Sequence, residues 1–553
     1  MAKKILIIGG VAGGATAAAR LRRLDETADI TVLERGPYVS FANCGLPYFL
    51  SGDIKKRSQL LLQTPEGFWS RYRVEVKTQT EALEILPASK TVKARGPEGE
   101  LELSYDALIL TQGSNPVVPP LPGVTQEHVF KLWTIPDMDR IQKFLTEKAP
   151  ATAVIAGGGF IGLEMAEAFH QRGIKTTVVE LAPQIMATMD KEFASAVQKQ
   201  LETDGVAVKT GLGLSSIGAK TVQLSDGSEI PADLVLLSVG VRSELTLAKA
   251  AGLAIGPAGG LQVDEYLRTS DPNIWAAGDM IETVNLISGK KARIPLAGPA
   301  NRQGRLAATN IASTYVPGVT PRRYRGAFGS SVVKVFDSTA ASTGLTEKAA
   351  KEAGFEVGTS TVHKGHHAGY YPGAELLSLK LVWEKPTGRL LGAQAFGKQG
   401  VEKRIDALAV ALLGKLTVQD LAEADFAYAP PYSSANDPIN MAAFSAQNAL
   451  EGACPLTTPD QLLAQPLTAD EILLDVRTLG EFAKGHAEGA LHIPLDELRD
   501  SLDQVPQKTV HVYCKDGFQG YLAVRILKQN GIKADNIAGG WTSMVRCGWE
   551  EKK

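Results

Sequence analysis

The apolar run Ile5-Leu6-Ile7-Ile8 stops abruptly at Gly9-Gly10, and small residues then lead into a helical stretch. This pattern predicts a strand over 4–8, a glycine turn, a helix over 15–24, a strand over 30–33 and a terminal acid, Glu34. The same order returns later. A strand over 153–156 meets Gly157-Gly158-Gly159-Phe160-Ile161-Gly162, followed by a helix over 163–172, a strand over 176–179 and Glu180. Glycines in such a turn let the backbone approach a pyrophosphate, and the helix N-terminus offers it unpaired N–H groups. The second copy carries the full G-x-G-x-x-G spacing through Gly157, Gly159 and Gly162. The first keeps Gly9 and Gly14 but has Val11 where the middle glycine belongs.

Composition narrows the class. With 553 residues, 44% of them hydrophobic, and 55 glycines, the chain reads as a soluble, turn-rich α/β protein of three or four domains. A formal net charge of −2 gives no global attraction for nucleic acid or an anionic membrane, so neither is expected as a partner. No apolar stretch approaches the roughly 20 residues needed to span a bilayer. The first apolar run is no signal peptide, because it continues as the nucleotide turn. Four scattered cysteines suit a reducing compartment, and a cytoplasmic location is expected.

Two segments frame the second unit. Asp106-Ala107-Leu108-Ile109-Leu110-Thr111-Gln112-Gly113-Ser114 precedes it, and Thr269-Ser270-Asp271-Pro272-Asn273-Ile274-Trp275-Ala276-Ala277-Gly278-Asp279 follows it. An acid ending the latter can hydrogen-bond a sugar-alcohol chain such as flavin ribityl. In this order the four segments resemble the two-dinucleotide-domain flavoprotein disulfide reductases. The resemblance implies two Rossmann-like domains: FAD on residues 1–115 plus 245–320, and a nicotinamide nucleotide on the inserted 116–244. An α+β dimerisation domain over 325–448 would follow, making the protein a homodimer. The FAD contacts it implies are Gly9, Ala12, Gly13, Gly14, Glu34, Arg35, Thr111, Gly113, Asp279 and Ala297. For the nicotinamide nucleotide they are Gly157, Gly159, Phe160, Ile161, Gly162, Glu164 and Glu180. Glu180 at the ribose position disfavours a 2′-phosphate, so NADH is expected over NADPH, which stays possible.

Cys44 lies in Ser40-Phe41-Ala42-Asn43-Cys44-Gly45-Leu46-Pro47-Tyr48, with no second cysteine nearby. An oxidising equivalent stored there must be a mixed disulfide with a small thiol, a persulfide or a sulfenic acid. The motif resembles the single-cysteine branch that holds coenzyme A-disulfide reductases, NADH oxidases and NADH peroxidases, and its continuation is most similar to the coenzyme A members. Arg20, Arg22 and Arg23, with Lys55-Lys56-Arg57, could meet the phosphates of coenzyme A. By that similarity Thr16, Arg20, Arg23, Ser40 and Asn43 are the candidate coenzyme A contacts. Tyr370 and Tyr428 would reach the cysteine of the partner subunit and donate to a leaving thiolate. The reaction needs Cys44 as a thiolate at neutral pH. His366 and His367 have no acidic or cysteine cluster beside them, and no metal is expected.

From 452 the composition turns to Gly, Pro, Thr and Gln, and residues 449–466 read as a linker. Residues 467–553 resemble a single α/β rhodanese domain: Asp475-Val476-Arg477, a strand over 509–513, Cys514, the loop Lys515-Asp516-Gly517-Phe518-Gln519-Gly520 and a helix over 521–529. Gln519 stands where many active rhodaneses hold an arginine, which argues against thiosulfate as donor. Cys454 and Cys547 lack any such context and read as incidental thiols. The combined expectation is an NADH-dependent flavoprotein that reduces coenzyme A persulfide or polysulfide at Cys44, with Cys514 delivering sulfane sulfur. A coenzyme A-disulfide reductase is the first alternative, and an NADH oxidase or peroxidase working through a sulfenic acid the second.

Overall fold

The computed structural model describes residues 2–552. The chain forms two compact units, Met1–Leu181 with Lys209–Gly329, and Ala182–Val208 with Ser330–Lys553.

The first unit is built on two parallel sheets. One has the order Ile274–Ala276, Ala107–Leu110, Lys4–Ile8, Asp29–Leu33, Glu75–Lys77. Its central strands are apolar and buried on both faces, as expected when helices cover a parallel sheet. Each fully buried Ile or Leu there contributes roughly 1.5–3 kcal/mol. In the other sheet Lys175–Glu180, Thr152–Ala156, Leu234–Leu237 and Val129–Phe130 lie side by side in parallel. Both nucleotide-type helices start earlier than the sequence predicts, at Ala12–Arg22 and Phe160–Gln171. The reason is the same in each: residues assigned to the turn, Gly13-Gly14 and Phe160-Ile161-Gly162, already form the first helical turn.

Helix Ala12–Arg22 packs on helix Ala297–Ala312 with almost no space between backbones, so that a Cβ on Gly304 would collide with the Gly13 carbonyl. Thr16 Oγ1 donates to Asn301 Oδ1 across the same contact (2.6 Å).

The second unit joins an antiparallel sheet to a parallel one. The antiparallel order is Ser331–Val335, Ser338–Gly344, Leu390–Gly397, Leu376–Glu384, Val357–Gly365. Helix Lys191–Thr203 is tied to this domain by Lys380, whose buried ammonium lies 3.1 Å from Asp190, 3.4 Å from Glu192 and 3.0 Å from Glu347. Burial opposes that charge, but the three carboxylates outweigh it and hold the lysine well above its ordinary range.

The C-terminal parallel sheet runs Leu456–Thr457, Ala534–Ile537, Thr509–Tyr513, Glu471–Asp475, Leu491–His492. Its edge strand falls inside the stretch read as a linker, as does helix Pro459–Ala464, which Thr458 caps by accepting from Gln461 N–H. Among the described residues no helix is long and apolar enough to cross a membrane.

Candidate functional site

The first unit brings its nucleotide turns and Cys44 together. At the first turn Gly9 has φ 99°, and a Cβ there would collide with the Thr111 carbonyl. A Cβ on Gly14 would collide with the Gly9 carbonyl, so both glycines are demanded by the chain itself. Thr111 Oγ1 closes the turn by donating to the Ile8 and Gly9 carbonyls (2.9 and 2.8 Å). Glu34 accepts from Gly10 N–H and Gly36 N–H, each at 2.8 Å. Desolvation still pushes its carboxyl up, although both N–H groups and neighbouring Arg35 pull it down.

Asp279 follows Gly278 (φ 86°) and accepts from Ser114 Oγ at 2.9 Å, with burial pushing its carboxyl up. Gly113 has φ 69°, and the buried Oε1 of neighbouring Gln112 has no hydrogen-bond partner among the described residues. Ala297 opens the helix that packs on the turn, and Arg35 Nη2 donates to Asn115 Oδ1 (2.8 Å).

The second turn repeats this chemistry. Gly157 (φ 107°) and Gly162 have no room for a Cβ, against the Ser238 and Gly157 carbonyls respectively. Gly158 N–H donates to Glu180 Oε2 at 2.7 Å, as Gly10 does to Glu34. A Cβ on Gly159 would meet open space, so no chain contact demands the middle glycine. The first turn accommodates Val11 at the equivalent place for the same reason: no chain contact there requires glycine.

Cys44 sits in the short 3-10 turn Asn43–Gly45, at the start of helix Leu46–Ser51, and is exposed. Asn43 Nδ2 pins the turn by donating to the Trp133 carbonyl at 2.6 Å. Ser40 holds the segment in a left-handed conformation (φ 47°), its N–H donating to the Gly10 carbonyl at 2.9 Å. Partial desolvation pushes the Cys44 thiol up, and the carboxylates of Glu164 and Asp279 add to this, while its own backbone N–H pulls it down. The chain's own groups therefore work against the thiolate that the sequence reading requires. Glu164 itself is pushed up to about 7, mainly by burial, though Tyr48 Oη donates to its Oε1 at 3.1 Å.

The arginines divide. Arg22 turns inward and donates to the carbonyls of Tyr72, Asp25, Ala28 and Arg73, a structural role. Arg20 donates to Thr309 Oγ1 at 3.3 Å and is lowered by burial, then by Arg305, Arg23 and Arg322. This is a concentrated positive field suited to a phosphate-bearing ligand. Arg305 and Arg322 were not singled out from the sequence. The only signal was that Arg305 shares a helix with the Ala297 segment.

In the second unit, Tyr370 and Tyr428 meet through their hydroxyls at 2.7 Å, and both are exposed. His366 and His367 are buried, and Arg404 beside them makes a buried ion pair with Asp437 at 2.8 Å. Cys514 ends strand Thr509–Tyr513 in a cradle of backbone. Gly517 N–H donates to its Sγ at 3.1 Å, Trp541 N–H to its carbonyl at 2.7 Å, and helix Phe518–Gln529 begins immediately beyond. Burial pushes this thiol up, opposed by the N–H groups of Gly520, Asp516 and Gly517, whereas the Asp516 carboxylate adds to the rise. Gln519 is exposed.

Cys454 and Cys547 are buried, and burial pushes the former up to about 12. Cys547, Glu192 and Asp460 bring potential ligand atoms within 4.8 Å of one another, but Lys380 at 3.4 Å and Thr361 Oγ1 at 3.1 Å already serve Glu192.

Comparison with known proteins agrees with this layout. Residues 3–304 match the family described as pyridine nucleotide-disulphide oxidoreductase, residues 330–438 its dimerisation domain, and residues 458–547 the rhodanese-like domain. The crystal structure of reduced Bacillus anthracis CoADR-RHD superposes with a TM-score of 0.95 at 41% identity, covering 99% of this chain and 98% of that one. An NAD-dependent persulfide reductase from A. fulgidus gives a TM-score of 0.91 at 37% identity, over 98% of this chain and 99% of that one. A Staphylococcus epidermidis coenzyme A disulfide reductase is 33% identical over 446 residues, which cover 80% of this chain and 100% of the relative.

Proposed function

The chain belongs to the pyridine nucleotide-disulphide oxidoreductase family and carries a rhodanese-like domain; from that premise we propose a homodimeric, FAD-dependent enzyme that uses NADH to cleave the S–S bond of coenzyme A persulfide or polysulfide, releasing sulfide. The observation that carries this is Cys44, a thiol without a cysteine partner in its segment, under the field of Glu164 from the second nucleotide fold and Asp279 from the first.

The residues present fit both cofactors. Glu34, Asp279 and the orphaned Gln112 Oε1 offer acceptors to the hydroxyls of a dinucleotide, and the open space at Gly159 admits a second nucleotide. When bound, the flavin would supply two-electron redox chemistry between the nicotinamide and sulfur. Cys44 attacks the coenzyme A sulfur of the persulfide. The S–S bond breaks, sulfide leaves with its electron pair, and a Cys44–coenzyme A disulfide remains for reduction. Thr16, Arg20, Arg23, Ser40 and Asn43 hold the coenzyme A, and Arg305 and Arg322 add charge for its phosphates. Tyr370 and Tyr428 of the partner subunit donate hydrogen bonds to the departing thiolate. Glu180 favours NADH over NADPH. Cys514 carries sulfane sulfur to coenzyme A, and joining the domains in one chain keeps that transfer local. Four free cysteines support a reducing, cytoplasmic setting.

The test is a pair of substitutions. Cys44→Ser should abolish NADH-dependent turnover of every disulfide and persulfide, whereas Cys514→Ser should spare coenzyme A persulfide and slow only turnover that starts from polysulfide. Persulfide turnover by the Cys44→Ser enzyme defeats the proposal. A coenzyme A-disulfide reductase is the second reading, favoured by the match to the staphylococcal relative, which spans all of that protein and 80% of this chain. A much larger kcat/KM for the disulfide than for the persulfide would select it.

A further inference from the structure

Within the Cys514 loop, Gln519 is neutral, and Asp516 Oδ1 lies 3.9 Å from Sγ. A carboxylate so placed repels any sulfur donor that carries negative charge, as polysulfide ions do at neutral pH. The charge that offsets it comes from another domain. Lys364, on strand Val357–Gly365, places Nζ 3.7 Å from Asp516 Oδ2 and 4.9 Å from the centroid of the Phe518 ring. Strand Val357–Gly365 and its neighbour Leu376–Glu384 are both anchored to helix Gly540–Cys547 of the C-terminal domain. His363 bonds Ser543 Oγ through Nε2 at 2.9 Å, and Arg546 Nη1 donates to Ser378 Oγ at 2.8 Å. Lys364 is therefore delivered to the loop by a fixed strand. Its side chain keeps 29% exposure, and 3.7 Å is longer than a direct hydrogen bond, so its N–H groups remain open to an arriving anion.

We propose that Lys364 is the anion-selecting residue of the Cys514 site, drawing in sulfane-sulfur donors that end in a negatively charged group. The donor competes with Asp516 for the ammonium as it nears the thiolate. Cys514 then attacks the sulfane sulfur, the donor's S–S bond breaks, and the leaving group departs with the bonding pair, so no outside oxidant or reductant enters. This rests on the reading of Cys514 as a sulfur carrier and adds what selects the donor.

The experiment compares size-matched probes on the full-length holoenzyme without NADH. Alkylation rates of Cys514 by iodoacetate and by iodoacetamide are read on the Cys514 peptide by mass spectrometry. The iodoacetate-to-iodoacetamide ratio should fall about three- to tenfold in Lys364→Gln, the size expected for one charge at this range in a partly screened site. Lys364→Arg should restore it, and Lys515→Gln, which alters an exposed cation of the loop, should change it less. An unchanged ratio in Lys364→Gln, a parallel change with both reagents, or a larger effect of Lys515→Gln overturns the proposal. In parallel, tetrasulfide should load sulfur onto wild-type Cys514. If it leaves none, the carrier reading fails, while the alkylation ratio still judges Lys364.

Discussion

Burial pushes both Cys44 and Cys514 up, but the chain around each opposes that rise differently. Around Cys514 the chain folds its own N–H donors toward the sulfur, and Gly517 reaches it at 3.1 Å. Around Cys44 only the residue's own N–H works for the anion, against desolvation and two carboxylates. The contrast teaches that the chain itself opposes the rise with several N–H donors at Cys514 and with a single one at Cys44.

The strongest way to break this comparison is to spoil the backbone cradle. Gly540 holds φ 56°, and a Cβ there would collide with the Cys514 carbonyl. Gly540→Ala, carrying roughly 1–3 kcal/mol of local strain, should cut tetrasulfide loading of Cys514 at least about tenfold and leave flavin reduction by NADH unchanged in stopped-flow absorbance. Next in size is removal of the flavin. Cys44 should then be alkylated about tenfold more slowly at neutral pH, while the rate at Cys514 stays as before. Peptide-resolved alkylation against pH reads both thiols in one sample. The smallest effect belongs to Glu164→Gln. Because the Glu164 carboxyl is pushed up to about 7, it is neutral below that pH and charged above it. Its substitution should therefore speed Cys44 alkylation only above neutrality, by about twofold, and the gain should vanish below pH 6.

The parts legible in the sequence were those written in consecutive residues. Both glycine turns, the acids Glu34 and Glu180 that close them, the Cys44 segment and the Cys514 loop each lie within one short stretch, where spacing alone constrains the backbone. Val11 looked like a defect in the first turn, but only Gly9 and Gly14 are required by chain contacts. What stayed hidden came from segments far apart. Arg305 and Arg322 join Arg20 across nearly 300 positions, and Lys364 reaches the Cys514 loop from another domain. Arg22 was indistinguishable from Arg20 by type and place, since only the fold decides which one turns inward.

The close seating of Gly304 on Gly13 has a consequence for how the chain is made. The helix that covers the first nucleotide fold, and the edge strand Ile274–Ala276 beside Ala107–Leu110, leave the ribosome only after the whole inserted fold has been synthesised. The amino-terminal half thus waits with one sheet edge and one helix face bare while the insertion, complete in sequence, is free to fold ahead of it. A nascent chain cut short before residue 297 would keep that face uncovered and offer it to chaperones or to other unfinished copies.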